Sequence, residues 1–215
     1  MSELAEILQS RGARLALKIA GVVVALGLVA TAGWLWMRTQ ESRGQAALAG
    51  AAEAVQQSEG PQATAETRQK AIGLLQAVLA EHGRSTAATQ AAYQLGNLQY
   101  QAGDYAAARA AYEIALAKGA TGSLHTLSAS GVGYTWEAEK NFANAVTAYD
   151  AAARGLGAKQ FFFEEALLDL ARAQALAGKP AEARATYERL LKDAPETRRA
   201  EDIRGRIAAL DPAAK

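Results

Sequence analysis

Small and aromatic residues recur along the middle of the chain at the three- and four-residue steps that share one face of a helix. The pattern occurs three times, 37 and then 38 residues apart, as Ala108, Tyr112 and Ala115; as Ala145, Tyr149 and Ala152; and as Ala183, Tyr187 and Leu190. Long runs of the chain lack the period-two alternation that marks strands. The pattern therefore predicts three equivalent amphipathic helices in an all-α protein.

A turn and an earlier helix precede each of these helices. The turns, at residues 103–105, 140–142 and 178–180, contain Gly, Asp, Asn or Pro, which interrupt helices. The earlier helices carry Leu95-Gly96 with Tyr100, Val132-Gly133 with Trp136, and Leu170-Ala171 with Gln174. Because Gly96 and Ala108 are small, the two helices of the first unit can approach closely. Each unit is therefore predicted to be a helical hairpin.

A fourth, weaker unit precedes these three. Ala71, Leu75 and Val78 stand one repeat length before the first small and aromatic set. Residues 38–58 are rich in Ala and Gln, and residues 58–62 break their helix with Gly and Pro. The apolar stripe of that helix consists of Ala47, Leu48, Ala51, Ala52 and Val55. The region is thus predicted to form a degenerate helical pair.

These hairpins resemble tetratricopeptide repeats, whose signature runs aromatic, Leu-Gly, aromatic, Ala and aromatic. Residues 89–120 carry the whole pattern in register. Because one hairpin cannot bury its apolar face alone, at least about three must stack, which implies an α-solenoid. The usual repeat has about 34 residues, so we expect the surplus in the turns near 119–123 and 155–159.

An uncharged segment of nineteen residues, 19–37, precedes the repeats. As a helix it spans roughly 28 Å, close to the hydrocarbon thickness of a bilayer. Two indole rings lie near one end, where they favour the membrane interface, and basic residues are slightly more numerous on the N-terminal side. The segment is predicted to be a single transmembrane helix with a cytoplasmic N-terminus and with Lys18, Trp34, Trp36 and Arg38 at the membrane interface.

A cleaved signal peptide is the alternative interpretation of this segment. Ala30-Thr31-Ala32 fits the small-x-small cleavage pattern, after an apolar core of about eleven residues. Apolar character continues beyond that point through Met37, and the preceding region is long and contains two acids. We therefore favour the anchor. Both interpretations place the helical domain outside the cytoplasm.

The chain is thus predicted to have five parts. They are a cytoplasmic N-terminus at 1–18, a transmembrane helix at 19–37, the degenerate pair at 38–85, three repeats at 86–195, and a capping helix with a tail at 196–215. The capping helix carries Ile203, Ile207 and Leu210 on one face. Such a helix supplies the polar cover that the end of a repeat array needs.

Composition and motifs argue against an enzyme and against a metal site. The net charge is +1 and no cysteine is present, so we expect no nucleic-acid partner and no thiolate or Cys-based zinc site. His82 and His125 are predicted to have surface or capping roles, and the acids Glu164, Glu165 and Asp169 are predicted to be solvated at the start of a helix. Gly-rich stretches at 131–133 and 155–157 lack the context of a phosphate loop. We predict a protein that is not an enzyme and has no catalytic residue, cofactor or metal.

The first helices of stacked hairpins line a concave surface. By resemblance to the repeat family, the residues facing it are Tyr93, Asn97, Tyr100, Gln101, Ser130, Tyr134, Glu137, Leu168, Arg172 and Leu176. This mixed surface suits a peptide or a partner helix. The family's carboxylate clamp uses several Lys, Arg and Asn residues. Only Asn97 matches it, and Tyr93 stands where a Lys is expected, so that ligand is excluded.

Phe161, Phe162 and Phe163 form the most apolar short run outside the membrane segment. Three successive aromatic residues cannot all face one side of a helix. We expect at least one to pack at the junction with the preceding unit. An exposed ring would attract unfolded chains, and we favour burial.

The whole arrangement resembles the YfgM-type bacterial inner-membrane proteins, and the likeness covers nearly the entire chain. The resemblance includes residues 75–81, which lead into Ala91 and Leu95. It implies an ancillary subunit of the SecYEG translocon, paired with the anchored chaperone PpiD. The protein is then expected in the bacterial inner membrane, single-pass, with its C-terminal domain in the periplasm. Its partners would be translocon subunits, an anchored periplasmic chaperone or unfolded exported chains. A periplasmic scaffold for outer-envelope or cell-division assembly is the alternative.

Overall fold

A computed structural model describes residues 11–60 and 63–211, and every regular element in those ranges is a helix. The helices are α1 (Arg11–Glu59), α2 (Ala65–Glu81), α3 (Thr86–Gln101), α4 (Tyr105–Ala117), α5 (Gly122–Ala138), α6 (Phe142–Ala153), α7 (Phe163–Leu176), α8 (Pro180–Asp193) and α9 (Ala200–Ala209). The all-α prediction is confirmed. The first ten residues of the predicted cytoplasmic segment, the break at 61–62 and the tail at 212–215 lie outside the described residues.

The chain divides into two compact units, 1–43 and 44–215. In the first, the side chains of the apolar segment are exposed, including those of Trp34, Trp36 and Met37. Within the described residues, the part of α1 from Lys18 to Glu59 is the one helical segment long and apolar enough to cross a membrane, and its most apolar stretch has a mean hydropathy of 2.0. The residues of this apolar stretch are exposed.

Three helical hairpins form the middle of the second unit: α3 with α4, α5 with α6, and α7 with α8. Side chains at the turns fix where each second helix starts. The backbone N–H of Ala107 donates to Asp104 Oδ1 over 3.0 Å, and that of Asn144 donates to Asn141 Oδ1 over 3.3 Å. Pro180 stands in the first turn of α8, where its missing N–H is not needed. We call these hairpins the first, second and third repeats.

The residue before each cap has a left-handed backbone. It is glycine in the first and third repeats, where φ is 80° at Gly103 and 74° at Gly178, but lysine in the second, where φ is 59° at Lys140. A residue with a Cβ is strained by about 1 kcal/mol in this region. We expect Lys140→Gly to raise the free energy of unfolding by about 1 kcal/mol in chemical denaturation. Ala102→Gly, at a cap with φ −77°, should not stabilise the protein.

Small residues on both helices of each hairpin create the core. The packing residues predicted from the repeat pattern are all buried: Leu95, Gly96, Ala108, Tyr112, Ala115, Gly133, Ala145, Tyr149, Ala152, Ala183 and Tyr187. Ahead of them, the end of α1 packs on α2 through a cluster that contains Leu48, Ala51, Ala71, Leu75 and Val78. The predicted stripe is wrong at one position, since Ala52 is exposed and Ala54 is buried in its place.

The last helix begins later than its sequence pattern suggests. We predicted a helix from residue 196, but α9 starts at Ala200. Thr197 holds the intervening residues in a turn, because its hydroxyl accepts from the Arg199 N–H at 3.2 Å and donates to Glu164 at 2.7 Å. Ile203 is fully buried against the third repeat, so α9 covers the end of the apolar core.

Successive hairpins meet mainly where the second helix of one packs on the first helix of the next, α4 on α5 and α6 on α7, and their first helices also touch. Cα atoms of α3 and α5, and of α5 and α7, lie within 8 Å of one another. Between the second helices α4 and α6, or α6 and α8, no such set of contacts occurs in the described ranges. The first helices are therefore closer together, and the repeats curve with α3, α5 and α7 on the inner side.

Candidate partner-binding groove

Glycine and tyrosine set the spacing of the first helices. The Tyr112 ring, from α4, is held between α3 and α5. A Cβ built on Gly96 would lie 2.5 Å from this ring, and one built on Gly131 would lie 2.7 Å from it. Both distances are shorter than van der Waals contact, so only glycine fits at either position. Tyr149 packs on Gly133 in the same way, since a Cβ built there would lie 2.4 Å from its ring.

A pocket of about 130 Å³ opens on the inner face between these helices. We call it the tyrosine pocket. Its walls are Tyr93, Asn97, Tyr112, Thr126, Leu127, Ser130, Gly131, Tyr134, Phe162, Glu165 and Ala166. The structure thus brings together four residues predicted to face the groove: Tyr93, Asn97, Ser130 and Tyr134. Aromatic rings make up much of the wall, and Glu165 is its only ionised side chain.

Hydrogen bonds fix the tyrosine hydroxyls around the pocket. Tyr112 donates to Asn97 Oδ1 over 2.8 Å, and Tyr134 donates to Asp169 Oδ2 over 2.5 Å. Burial raises the pKa of Tyr112 and of Tyr134 well above the usual value, and the bond to Asp169 raises that of Tyr134 further. Both phenols therefore remain neutral donors, and their rings are held in place for a partner.

A charged network joins the second and third repeats beside the tyrosine pocket. Arg172 on α7 pairs with Glu137 of α5 and, at 2.5 Å, with Asp169 of its own helix. Tyr149 donates to the other oxygen of Glu137 over 2.9 Å. Arg172 and Glu137 thus serve as a link between repeats, although the sequence predicted only that they face the groove. We call Glu137, Tyr149, Asp169 and Arg172 the inter-repeat network.

The prediction that Asp169 is solvated is wrong. Only 5% of the residue is exposed, because the phenol of Tyr134 covers its carboxylate. Burial raises the pKa of Asp169 to about 6, the bond from Tyr134 lowers it, the charge of Glu165 raises it, and that of Arg199 lowers it. The other two acids do meet solvent, but each has a partner: Glu164 accepts from Thr197, and Glu165 pairs with Arg199 at 2.8 Å.

A raised carboxyl pKa makes stability depend on pH. Between the ordinary value of 3.8 and about 6, the folded Asp169 binds a proton that the unfolded chain has released. The contribution of Asp169 to the free energy of unfolding is therefore largest near pH 4, and it is lost as the pH rises through 6. We expect the wild type to lose about 2 kcal/mol relative to Asp169→Asn between pH 4 and pH 7. Urea denaturation of both proteins at several pH values measures this difference, and parallel curves would contradict it.

The other predicted groove residues lie apart from the tyrosine pocket. Tyr100 packs on Tyr105 with ring centroids 5.3 Å apart, and Gln101 is exposed at the end of α3. Leu176 is exposed near the end of α7. Leu168 is buried in the core of the third repeat, which corrects its prediction as a groove residue. Its neighbour Asp169 is the residue that accepts a hydrogen bond from Tyr134 of α5.

The three residues of the Phe run lie in different environments. Phe163 is buried in the core, Phe162 lines the tyrosine pocket, and Phe161 is 91% exposed. The rings of Phe161 and Phe162 are in contact, with centroids 5.0 Å apart. An exposed aromatic ring therefore stands next to the pocket. This corrects the favoured expectation of burial for one of the three residues.

Neither histidine belongs to a cluster of ligands. His82 caps the end of α2, and His125 lies in the first turn of α5. A group of three or more His, Cys, Asp or Glu side chains that could hold a metal does not occur among the residues that the structure describes. The inner face is therefore best described by its aromatic and carboxylate groups.

Several residues of the pocket wall were not predicted from the sequence. Leu127, Gly131 and Phe162 were not assigned to the groove, although each lines the pocket. Gly131 could have been predicted from the sequence, because it lies two residues before Gly133 in α5. It accommodates the tyrosine of the preceding repeat, Tyr112, as Gly133 accommodates Tyr149. Phe162 could not be placed without the length and course of the 154–162 connection.

Comparison with known proteins identifies the repeat and the fold. Tetratricopeptide-repeat family models match residues 64–123, 93–160 and 165–197. Two solved structures contain nearly identical TPR-like repeats assigned to a Podosopora anserina kinesin light chain. They align with TM-scores of 0.59 at 17% and 16% sequence identity, over 79% of this chain and 85% and 86% of theirs. No curated protein matches the chain. Likeness at this identity concerns the fold.

Proposed function

We propose that this chain, which belongs to the tetratricopeptide-repeat proteins, is a membrane-anchored, non-catalytic adaptor that binds partner polypeptides on its inner face. The tyrosine pocket carries the proposal. Tyr93, Tyr134 and Phe162 are partly accessible. Glycine contacts and a hydrogen bond fix the buried Tyr112, and a hydrogen bond to Asp169 fixes Tyr134. Rigid aromatic side chains give contact area at a low entropic cost on binding, so they are common at protein interfaces.

The apolar part of α1 supports anchoring. Its side chains are exposed along nineteen uncharged residues, and the Arg38 guanidinium lies 4.8 Å from the centre of the Trp34 ring. An exposed apolar surface of this length is unfavourable in water and favourable in a bilayer. We expect the full chain to stay in the membrane pellet after alkaline carbonate extraction. Release of the intact chain into the supernatant would contradict anchoring.

The finer proposal is a periplasmic domain that acts as an ancillary subunit of the Sec translocon and assists exported proteins. Support comes from the resemblance to the YfgM-type proteins, from the slight excess of basic residues before the apolar segment, and from the exposed Phe161 beside the pocket. Protease added outside spheroplasts should digest the repeats and leave the membrane segment protected. Protection of the repeats would place them in the cytoplasm and contradict this arrangement.

Partner capture with a matched pair of variants tests the adaptor function. Leu127→Arg places a positive charge in the tyrosine pocket, whereas Ile114→Arg places one on the partly exposed outer surface of α4. Each tagged full chain is purified from membranes in mild detergent after its melting temperature has been checked. We expect Leu127→Arg alone to lose translocon or chaperone subunits. Recovery of only envelope-assembly or cell-division proteins would favour the scaffold alternative, and equal recovery by both variants would contradict the groove.

A further inference from the structure

The tyrosine pocket has the composition of a site for a cationic side chain. Tyr93, Tyr134 and Phe162 supply partly exposed aromatic rings beside the buried Tyr112, and Glu165 is the one acidic or basic side chain in the wall. The electron-rich faces of aromatic rings attract ammonium and guanidinium groups. A carboxylate at the edge of such a site adds direct attraction for the same charge.

The size of the pocket restricts what can enter. An engineered cavity of about 150 Å³ holds one benzene molecule, and this pocket measures about 130 Å³. It therefore accommodates a single side chain rather than a helix. Lys and Arg side chains bury their aliphatic stems on apolar surface while their charged ends reach a polar partner. The apolar walls of the pocket and the exposed Phe161 at its margin provide such a surface.

The charges around the pocket have a negative excess. In the part of the chain that the structure describes, the three carboxylates of Glu137, Glu165 and Asp169 pair with two cations, Arg172 and Arg199. Arg172 already pairs with two carboxylates, so the cation that pairs with Glu165 is Arg199. Both members of that pair are 51% exposed, and exposed pairs of this kind contribute little to stability. A partner's cation can therefore replace Arg199 at little cost.

We infer that the tyrosine pocket binds an arginine or lysine side chain of an extended partner segment, with Glu165 as the counter-ion. Arginine should bind more tightly, because its planar guanidinium both stacks on aromatic rings and pairs with a carboxylate. This inference rests on the proposed adaptor function and adds the chemistry of the bound side chain. An apolar side chain in the same pocket is the competing outcome.

Peptides that differ in one side chain test the inference. The probe is a fluorescein-labelled nonapeptide of Ala, Ser and Leu with a central arginine, and its counterparts carry citrulline, norleucine or glutamate there. Fluorescence anisotropy is measured with the full chain in neutral-detergent micelles. We expect the arginine peptide to bind about tenfold more tightly than the citrulline peptide. High salt should reduce this preference, because Glu165 is half exposed.

A pair of adjacent acids provides the control. Glu165→Gln should bring the arginine and citrulline peptides within about twofold of each other, whereas Glu164→Gln should leave the preference intact, since Glu164 is outside the pocket wall. Equal melting temperatures exclude unfolding as the cause.

Tighter binding of the norleucine peptide, or a preference for arginine that survives Glu165→Gln, would overturn the inference but leave the adaptor function. Absence of binding by every peptide up to about 1 mM would overturn both.

Discussion

Tyr149→Ala is expected to lower the free energy of unfolding by about 4 kcal/mol. The ring is fully buried and fills the space that Gly133 leaves between the two helices of the second repeat. Its hydroxyl also donates to Glu137, so truncation both opens a cavity and weakens the inter-repeat network. Urea denaturation followed by circular dichroism of the full chain in detergent measures the change.

Tyr149→Phe is the matched control for this substitution. It keeps the ring and removes only the bond to Glu137, which should lower stability by about 1 kcal/mol. If Tyr149→Phe proves as damaging as Tyr149→Ala, the hydroxyl would be the main contributor. A loss below about 1 kcal/mol for Tyr149→Ala would contradict the close packing of helices around this ring.

Gly131→Val is expected to lower the free energy of unfolding by about 3 kcal/mol. A Cβ at this position would approach three atoms of the Tyr112 ring at 2.7, 2.7 and 2.8 Å. The ring cannot retreat, because Gly96 already lies against its opposite side. The helices α3 and α5 must therefore separate, which should also disrupt the tyrosine pocket. Chemical denaturation measures the loss of stability.

Two further substitutions separate the clash from the general effect of replacing a helical glycine. A Cβ at Gly73 or Gly205 would meet open space, so alanine at either position should stabilise the protein by about 0.5–1 kcal/mol. Gly131→Val combined with Tyr112→Ala should cost less than the sum of the two single changes, because the small side chain removes the clash. An additive result would show that the ring is not the obstacle.

The repeat pattern predicted most of the fold because it reports local packing. Ala108, Tyr112 and Ala115 share one helix face by spacing alone, and the turn at Gly103-Asp104 has a local cause in its backbone and cap. The late start of α9 was not predictable in this way, since it depends on a bond between Thr197 and Glu164, 33 residues apart.

The groove was harder to predict than the fold. The resemblance to the repeat family indicated Tyr93, Asn97, Ser130 and Tyr134, because the first helix of each repeat in that family faces inward. The inter-repeat network was missed, since Asp169 is buried by a tyrosine from another hairpin. Contacts between hairpins depend on the angle at which they stack, and a single sequence contains no direct record of that angle.

Photo-crosslinking in native membranes tests the central claim most directly. A benzoylphenylalanine residue replaces either Leu127, in the tyrosine pocket, or Ile114, on the outer side of α4. Both full-length variants are expressed at equal level and irradiated in cells. We predict crosslinks to other polypeptides from position 127 and few or none from position 114. Equal crosslinking from both positions, or crosslinking from position 114 alone, would contradict an adaptor that binds its partners on the inner face.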